Sequence, residues 1–459
     1  MVILGSGSAA FAAAIKASEL GAKAIMVEHD TVGGTCVNRG CIPSKNLIRA
    51  ANLLHRARSS AFPGLGLSGE LDFPRLMGQK DELVAELRAE KYVNIVREDP
   101  NIDVLPGKAR FVGSHELEVE GERVRSQRII IATGARPHIP GIPGLEGVPY
   151  LTSRTALELR ELPERLIVIG GGYVAVELGQ MFSRLGSEVI ILERGPRLLA
   201  SFEPVISDAL ASRFRAEGIG VVLGAEPVAV RGGAGITVTF RRDGDKSEVS
   251  GSHLLIAAGR MPNTEGLGLE EVGIKVDKRG YIRVDAQLRT SVPHIFAAGD
   301  VIGPPMATPV AAREGSIAAE NALTDAGRRM DYHSIPRAVF TDPEIGTVGL
   351  TEAEAEARGI SCACRVLDLQ FVPKARAIRE AEGLVKMMAG AGSGRLLGVH
   401  LFMPRAADIV HEAALAVRLG LTVSDLADAI HLYPTLSEAL RLAAQSFTRD
   451  VARLSCCAE

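Results

Sequence analysis

The chain has 459 residues, more than one hydrophobic core serves, so two to four domains are expected. Hydrophobic residues are 46% and charged residues 23%, with 52 basic against 55 acidic side chains and a net charge of −3; this balance argues against a nucleic-acid or anionic-membrane partner. No apolar run approaches the ~20 residues of a membrane helix, and six cysteines in three close pairs fit a reducing cytoplasm better than a secreted disulfide framework.

In chain order, Val2 to Leu4 is a short β run, followed by the turn Gly5-Ser6-Gly7-Ser8-Ala9-Ala10 and an Ala-rich helix. A second β run, Ala24 to Val27, ends at Glu28. This is a βαβ unit: the first glycine permits the sharp turn, the second lets backbone approach a pyrophosphate, and the small third residue lets the helix pack. The helix N-terminus attracts phosphate. Ile129 to Ile131 is a buried strand ending in Ala132-Thr133-Gly134. A second βαβ unit begins at Leu166 to Ile169, turns through Gly170-Gly171-Gly172-Tyr173-Val174-Ala175 into a helix reaching Leu185, and returns along Val189 to Leu192 to Glu193. From first glycine to acid is 23 residues in both units, and Glu28 and Glu193 are placed to bond a ribose hydroxyl. Ile295 to Ala297 is a further buried strand running into Ala298-Gly299-Asp300, where Asp300 can accept a hydrogen bond from a polyol. From about Pro336 the pattern changes to strands (Ala338 to Phe340, Gly346 to Gly349), a helix over Ala406 to Leu419 and another over Ser437 to Phe447. This region reads as an α+β domain for association. Cys362 and Cys364 alternate on one face of a strand within it and read as structural.

The sharpest signal is Gly33-Gly34-Thr35-Cys36-Val37-Asn38-Arg39-Gly40-Cys41-Ile42-Pro43-Ser44-Lys45. A regular helix would separate residues five apart by about 7.5 Å of rise, and a disulfide wants Cα atoms within about 7 Å. Joining Cys36 to Cys41 therefore calls for a distorted first turn, with Gly40 as the flexible point and Pro43 at the start of the regular helix. A helix N-terminus and Lys45 both favour thiolate.

With its paired glycine turns and its Ala-Thr-Gly and Ala-Ala-Gly-Asp segments, the chain resembles the pyridine nucleotide–disulfide oxidoreductases: glutathione reductase, dihydrolipoamide dehydrogenase and mercuric reductase. The resemblance implies an α/β protein with two Rossmann-like domains and a C-terminal α+β dimerisation domain. Its parts are an FAD-binding domain (1–145), an NAD(P)-binding domain (146–265), an FAD-adjacent segment (266–335) and the dimerisation domain (336–459). It implies FAD contacts at Gly5, Gly7, Ala9, Ala10, Glu28, Gly34, Thr35, Lys45, Thr133, Gly134 and Asp300. Nicotinamide-cofactor contacts follow at Gly170, Gly172, Tyr173, Glu193, Arg194 and Gly259, with NADPH expected and NADH possible. Cys41 is then the thiol against the flavin, Cys36 the interchange thiol, and Lys45 and Glu177 an ion pair beside them.

Relatives that exchange organic disulfides carry a His as acid–base partner of the interchange thiol, in H-x-x-x-x-E or H-P-T-x-x-E. Here the run is His431-Leu432-Tyr433-Pro434-Thr435-Leu436-Ser437-Glu438: the Glu is kept and the His position is Tyr433. Tyr titrates near ~10 against ~6.5 for His, so it is a poor proton shuttle at neutral pH. The chain also ends in Cys456-Cys457-Ala458-Glu459, and adjacent thiolates suit a thiophilic metal. Mercuric reductases are similar at both points. The resemblance is to their catalytic core, without an N-terminal metal-binding domain, acting on thiol-bound Hg(II) as a cytoplasmic homodimer. Two features look more like dihydrolipoamide dehydrogenase: Pro304 to Val310 and the Pro-Thr-Leu-Ser-Glu run.

Overall fold

A computed structural model describes residues 1–59 and 61–454; the expected metal-binding pair Cys456 and Cys457 lies outside the described residues. The first sheet takes Ile295–Ala297, Ile129–Ile131, Val2–Leu4, Ala24–Glu28 and Ile102–Pro106 in that spatial order, all parallel. Its strands Val2–Leu4, Ile129–Ile131 and Ile295–Ala297 are wholly apolar and buried, as a parallel sheet covered on both faces requires. The second sheet orders Gly220–Leu223, Glu188–Glu193, Arg165–Ile169 and His253–Ile256, again all parallel. In both, the glycine turn emerges at the carboxyl edge of the strands, where open α/β sheets bind ligands. The third sheet is antiparallel, ordered Arg337–Val339, Glu344–Gly349, Leu396–Met403, Leu384–Gly390 and Cys362–Asp368. The helices Ala406–Leu419 and Glu438–Gln445 cover one face of it. This is the expected α/β architecture with an α+β C-terminal part.

Two helix contacts position the site. The Ala-rich helix Ser8–Glu19 packs along Thr308–Thr324, and a Cβ on Gly315 would stand 2.0 Å from the Ala9 carbonyl oxygen. The small residues after the first glycine turn thus serve this helix pair, which carries Thr308 toward the dithiol. The helix Tyr173–Leu185 packs against Cys41–Arg58. Glu177, Gln180 and Arg184 are buried along it. The Arg184 side chain is 1% exposed and binds Glu217 at 2.5 Å, Asp342 at 2.7 Å and Asn52 at 2.7 Å. Gln180 donates to the Asp342 carbonyl and accepts from its N–H. Charges taken this far out of water persist only when paired and hydrogen-bonded; here the pairing ties segments of all three sheet units together.

Candidate active site

The dithiol sits at a break between two helices, Gly34–Arg39 and Cys41–Arg58. Gly40 forms the break, and a Cβ there would lie 3.0 Å from the Thr35 carbonyl oxygen and 3.5 Å from the Cys36 Cα. The chain folds back on itself closely enough to hold the Cys36 and Cys41 side chains in hydrogen-bond contact. Both are free thiols, and their chemistry has diverged. Cys41 is lowered to about 6, first by the hydrogen bond from Cys36, against the opposing effect of burial, with help from Thr308 and the charge of Lys45. Cys36 is pushed the other way by the same hydrogen bond and by burial. At neutral pH the pair is one thiolate, Cys41, held by one thiol, Cys36.

Lys45 Nζ meets Glu177 Oε2 at 2.6 Å and lies 4.6 Å from the centre of the Phe340 ring. Glu177 is buried, and its second oxygen accepts from the Phe340 N–H at 3.0 Å. The expected ion pair is therefore formed. Thr308 Oγ1 lies 3.5 Å from Cys41 Sγ. The sequence reading missed Thr308; its nearest signal was the Pro304 to Val310 segment.

The first glycine turn is built for close backbone contact. Gly5 has φ +104°, and a Cβ there would lie 2.5 Å from the Ala132 carbonyl oxygen; on Gly34 it would lie 2.6 Å from the Gly7 Cα. Three loops, at Gly5 to Gly7, Gly33 to Gly34 and Ala132 to Gly134, therefore converge. The Ser8–Glu19 and Tyr173–Leu185 helices begin at Gly7 and Gly172, neither with a side-chain cap, so their terminal N–H groups remain for a phosphate. A Cβ on Gly172, Gly134 or Gly259 would meet open space. Arg260 Nε and His138 Nδ1 are buried polar atoms without a hydrogen-bond partner. Arg260 Nε stands 3.5 Å from Asp300 Oδ2, and burial raises the Asp300 carboxyl against that cation. Uncapped helix starts and glycine-lined space fit dinucleotides at both turns.

Several expected contacts have protein partners of their own. Glu28 accepts from Ser6 Oγ at 2.7 Å and from the Asp30 N–H at 2.8 Å. Thr133 Oγ1 donates to the Asn263 carbonyl at 2.8 Å. Glu193 accepts from the Gly195 N–H at 2.5 Å, and a Cβ on Gly171 would lie 2.7 Å from its other oxygen. Gly171 thus makes room for the acid, a role outside the fingerprint. Arg194 and Thr35 are exposed. Glu314, also missed, accepts from the Gly299 N–H at 2.8 Å and from Tyr332, bracing the turn before Asp300. Tyr173 packs edge-on to Phe202, with ring centres 5.5 Å apart.

Tyr433 and Glu438 lie in the C-terminal part. Tyr433 is 48% exposed, beside Ile430 at 95% and Leu432 at 82%. Glu438 is 6% exposed, its Oε2 has no partner, and burial raises its carboxyl. His431 Nε2 is 2.9 Å from Glu412, and its Nδ1 is 3.0 Å from the Ala429 carbonyl. Among the described residues no cluster of three or more His, Cys, Asp or Glu is arranged around a metal position. No helix among them is long and apolar enough to cross a membrane.

Comparison with known proteins agrees with this geometry. The family model for pyridine nucleotide-disulphide oxidoreductases matches residues 1–315, and that for their dimerisation domain matches 335–444. The chain is 44% identical over 460 residues to a mercuric reductase of Staphylococcus aureus, covering 100% of this chain and 84% of the relative. It is 47% identical over 466 residues to a mercuric reductase of Streptomyces lividans, covering 100% and 98%. Among solved structures, the HOCl-induced flavoprotein disulfide reductase RclA of Escherichia coli superposes with a TM-score of 0.87 at 31% identity, over 98% of this chain and 99% of that one. LpdA of Mycobacterium tuberculosis gives 0.87 at 29%, with the same coverage. The chain belongs to the pyridine nucleotide-disulphide oxidoreductase family and, within it, to the mercuric reductases.

Proposed function

We propose that the chain is a mercury(II) reductase, using NAD(P)H to reduce thiol-bound Hg(II) to Hg(0) at the Cys36–Cys41 dithiol. Bound FAD supplies the two-electron relay between the nicotinamide cofactor and the dithiol side. The observation that carries the choice of substrate is the pairing of His431 with Glu412 next to a tyrosine at the position of the family's acid–base histidine. Disulfide exchange needs that base, and exchange of a metal between thiolates does not. The resemblance makes Cys36 the interchange thiol, but the thiolate of the pair is Cys41, and on this reading Cys41 makes the first bond to the metal. Cys36 passes its proton to the departing carrier thiolate and becomes the second ligand. Lys45, balanced by Glu177, holds the negative charge in place. Tyr173 and Tyr433 flank the metal and exclude water. Cys456 and Cys457 take Hg(II) from the carrier before the dithiol does, as soft ligands, and Tyr433, Glu438 and that pair act on the partner subunit's dithiol in a homodimer.

The test is anaerobic NAD(P)H oxidation with Hg(II) in excess thiol, beside oxidised lipoamide and glutathione disulfide. Oxidation should depend on Hg(II), with volatile Hg(0) leaving solution. A far better rate with lipoamide would make the chain a disulfide reductase instead. Comparing kcat/KM for NADPH and NADH decides between Arg194, which favours a 2′-phosphate, and Glu193, which repels one.

A further inference from the structure

Cys362–Asp368 is the outermost strand of the C-terminal sheet, and its side chains alternate between faces. Leu367 belongs to the core under the covering helices, and Arg365 lies over Phe447 and donates to the Ser446 carbonyl. Cys362 and Cys364 therefore face the other way. Their sulfurs are 3.9 Å apart, both are partly buried, and both are free. Register sets Met388 of the neighbouring strand directly opposite Cys364, so a third sulfur, wholly buried, shares that face. The charged groups on the same side are already matched. Lys386 binds Glu203 at 2.7 Å and Glu352 at 2.6 Å. The ring nitrogens of His400 are engaged by Thr347 and the Leu350 carbonyl. The Glu352 side chain is in hydrogen-bond contact with Cys364.

We propose that Cys362 and Cys364 form a second, non-catalytic site that holds a thiophilic two-coordinate cation such as Hg(II), with the Met388 thioether alongside. Soft sulfur ligands select soft ions. Residues two apart on a strand have Cα atoms about 6.6 Å apart, at the upper end of the ~4.4–6.8 Å a disulfide spans, so the pair is poorly set to close on itself. A linear bridge of two bonds of about 2.3 Å spans about 4.6 Å, and small side-chain rotations open the gap to that. The exchange balances without oxidation. Two S–H bonds break and two metal–sulfur bonds form, while the two carrier thiolates leave with the protons. This sheet lies outside the two parallel sheets whose glycine turns open onto the dinucleotide sites, so the ion is stored here, not reduced.

The test uses the full-length, FAD-loaded chain with Cys36, Cys41, Cys456 and Cys457 all changed to Ala, leaving this pair as the only thiols of the six. After exposure to Hg(II) in excess monothiol and desalting, native mass spectrometry should find one Hg per chain and no carrier thiol attached. No retained metal, or metal retained with a carrier thiol still bound, overturns the proposal. In the otherwise native chain, Cys362→Ser with Cys364→Ser should bind one Hg fewer at full flavin content and unchanged reductase activity. An unchanged stoichiometry overturns it too. Because the first arm has no dithiol, its outcome does not depend on whether that dithiol reduces mercury.

Discussion

Removing the Cys36 hydrogen bond tests what makes Cys41 a nucleophile. The Cys41 pKa is lowered to about 6, so its thiolate is present above that pH and is lost as pH falls through it. Since the Cys36 hydrogen bond is the largest cause, Cys36→Ala should raise the midpoint most. Thr308→Val should raise it less, and Lys45→Met less again. Titrating the thiolate absorbance of each variant gives the ranking, and an unmoved midpoint in Cys36→Ala would refute it. Tyr433→His should raise lipoamide turnover roughly tenfold, below the ~10²–10⁴-fold a positioned base supplies. A steady-state assay checks this, and no gain would mean that the missing base is not what limits disulfide exchange.

At the scale of elements, the break at Gly40 converts a helix start into a dithiol. A methyl there must push against the Thr35 carbonyl oxygen at 3.0 Å, so Gly40→Ala should cost about 1–3 kcal/mol and slow oxidation of the pair. A urea midpoint together with thiol-trapping kinetics measures both. This break was legible in the sequence because both cysteines, the glycine and Pro43 are local, and the spacing alone showed that a regular helix would not serve. The glycine turns were legible for the same reason. Thr308, Glu314 and Gly171 were not. Thr308 reaches Cys41 from 267 positions away, by way of a helix pair whose only sequence trace is a run of small residues. Gly171 looks like an ordinary member of a glycine turn until Glu193 is seen folded over it. The metal-holding role proposed for Cys362 and Cys364 had no trace in spacing either, because a third sulfur, Met388, arrives through strand register.

On the scale of the whole molecule, Arg184 joins parts that no motif connects. Arg184→Met should cost about 3 kcal/mol, the low end for breaking a buried pair, because Glu217 keeps Arg213 and Asp342 keeps Arg56. A thermal melt showing a negligible shift would mean that the network reorganises around other cations. Cooperation between subunits has its own test. A mixed dimer pairs one chain lacking Cys36 and Cys41 with another lacking Cys456 and Cys457. If the terminal thiols serve the partner's dithiol, it should regain activity on Hg(II) held by bulky thiols, which neither parent shows. A mixed dimer as poor as its parents places the thiols with their own dithiol.

The orphaned carboxylate of Glu438 and the bare side chains of Ile430 and Leu432 also make folding sensitive to dilution. A protomer that leaves such groups wet or unpaired gains its last stability only by mass action. The melting temperature should therefore climb with protein concentration, and Leu432→Ser should steepen that climb while lowering it at every concentration. At low protein concentration, the same feature would make the amount of enzyme, and not its intrinsic rate, decide how much of it is in working form.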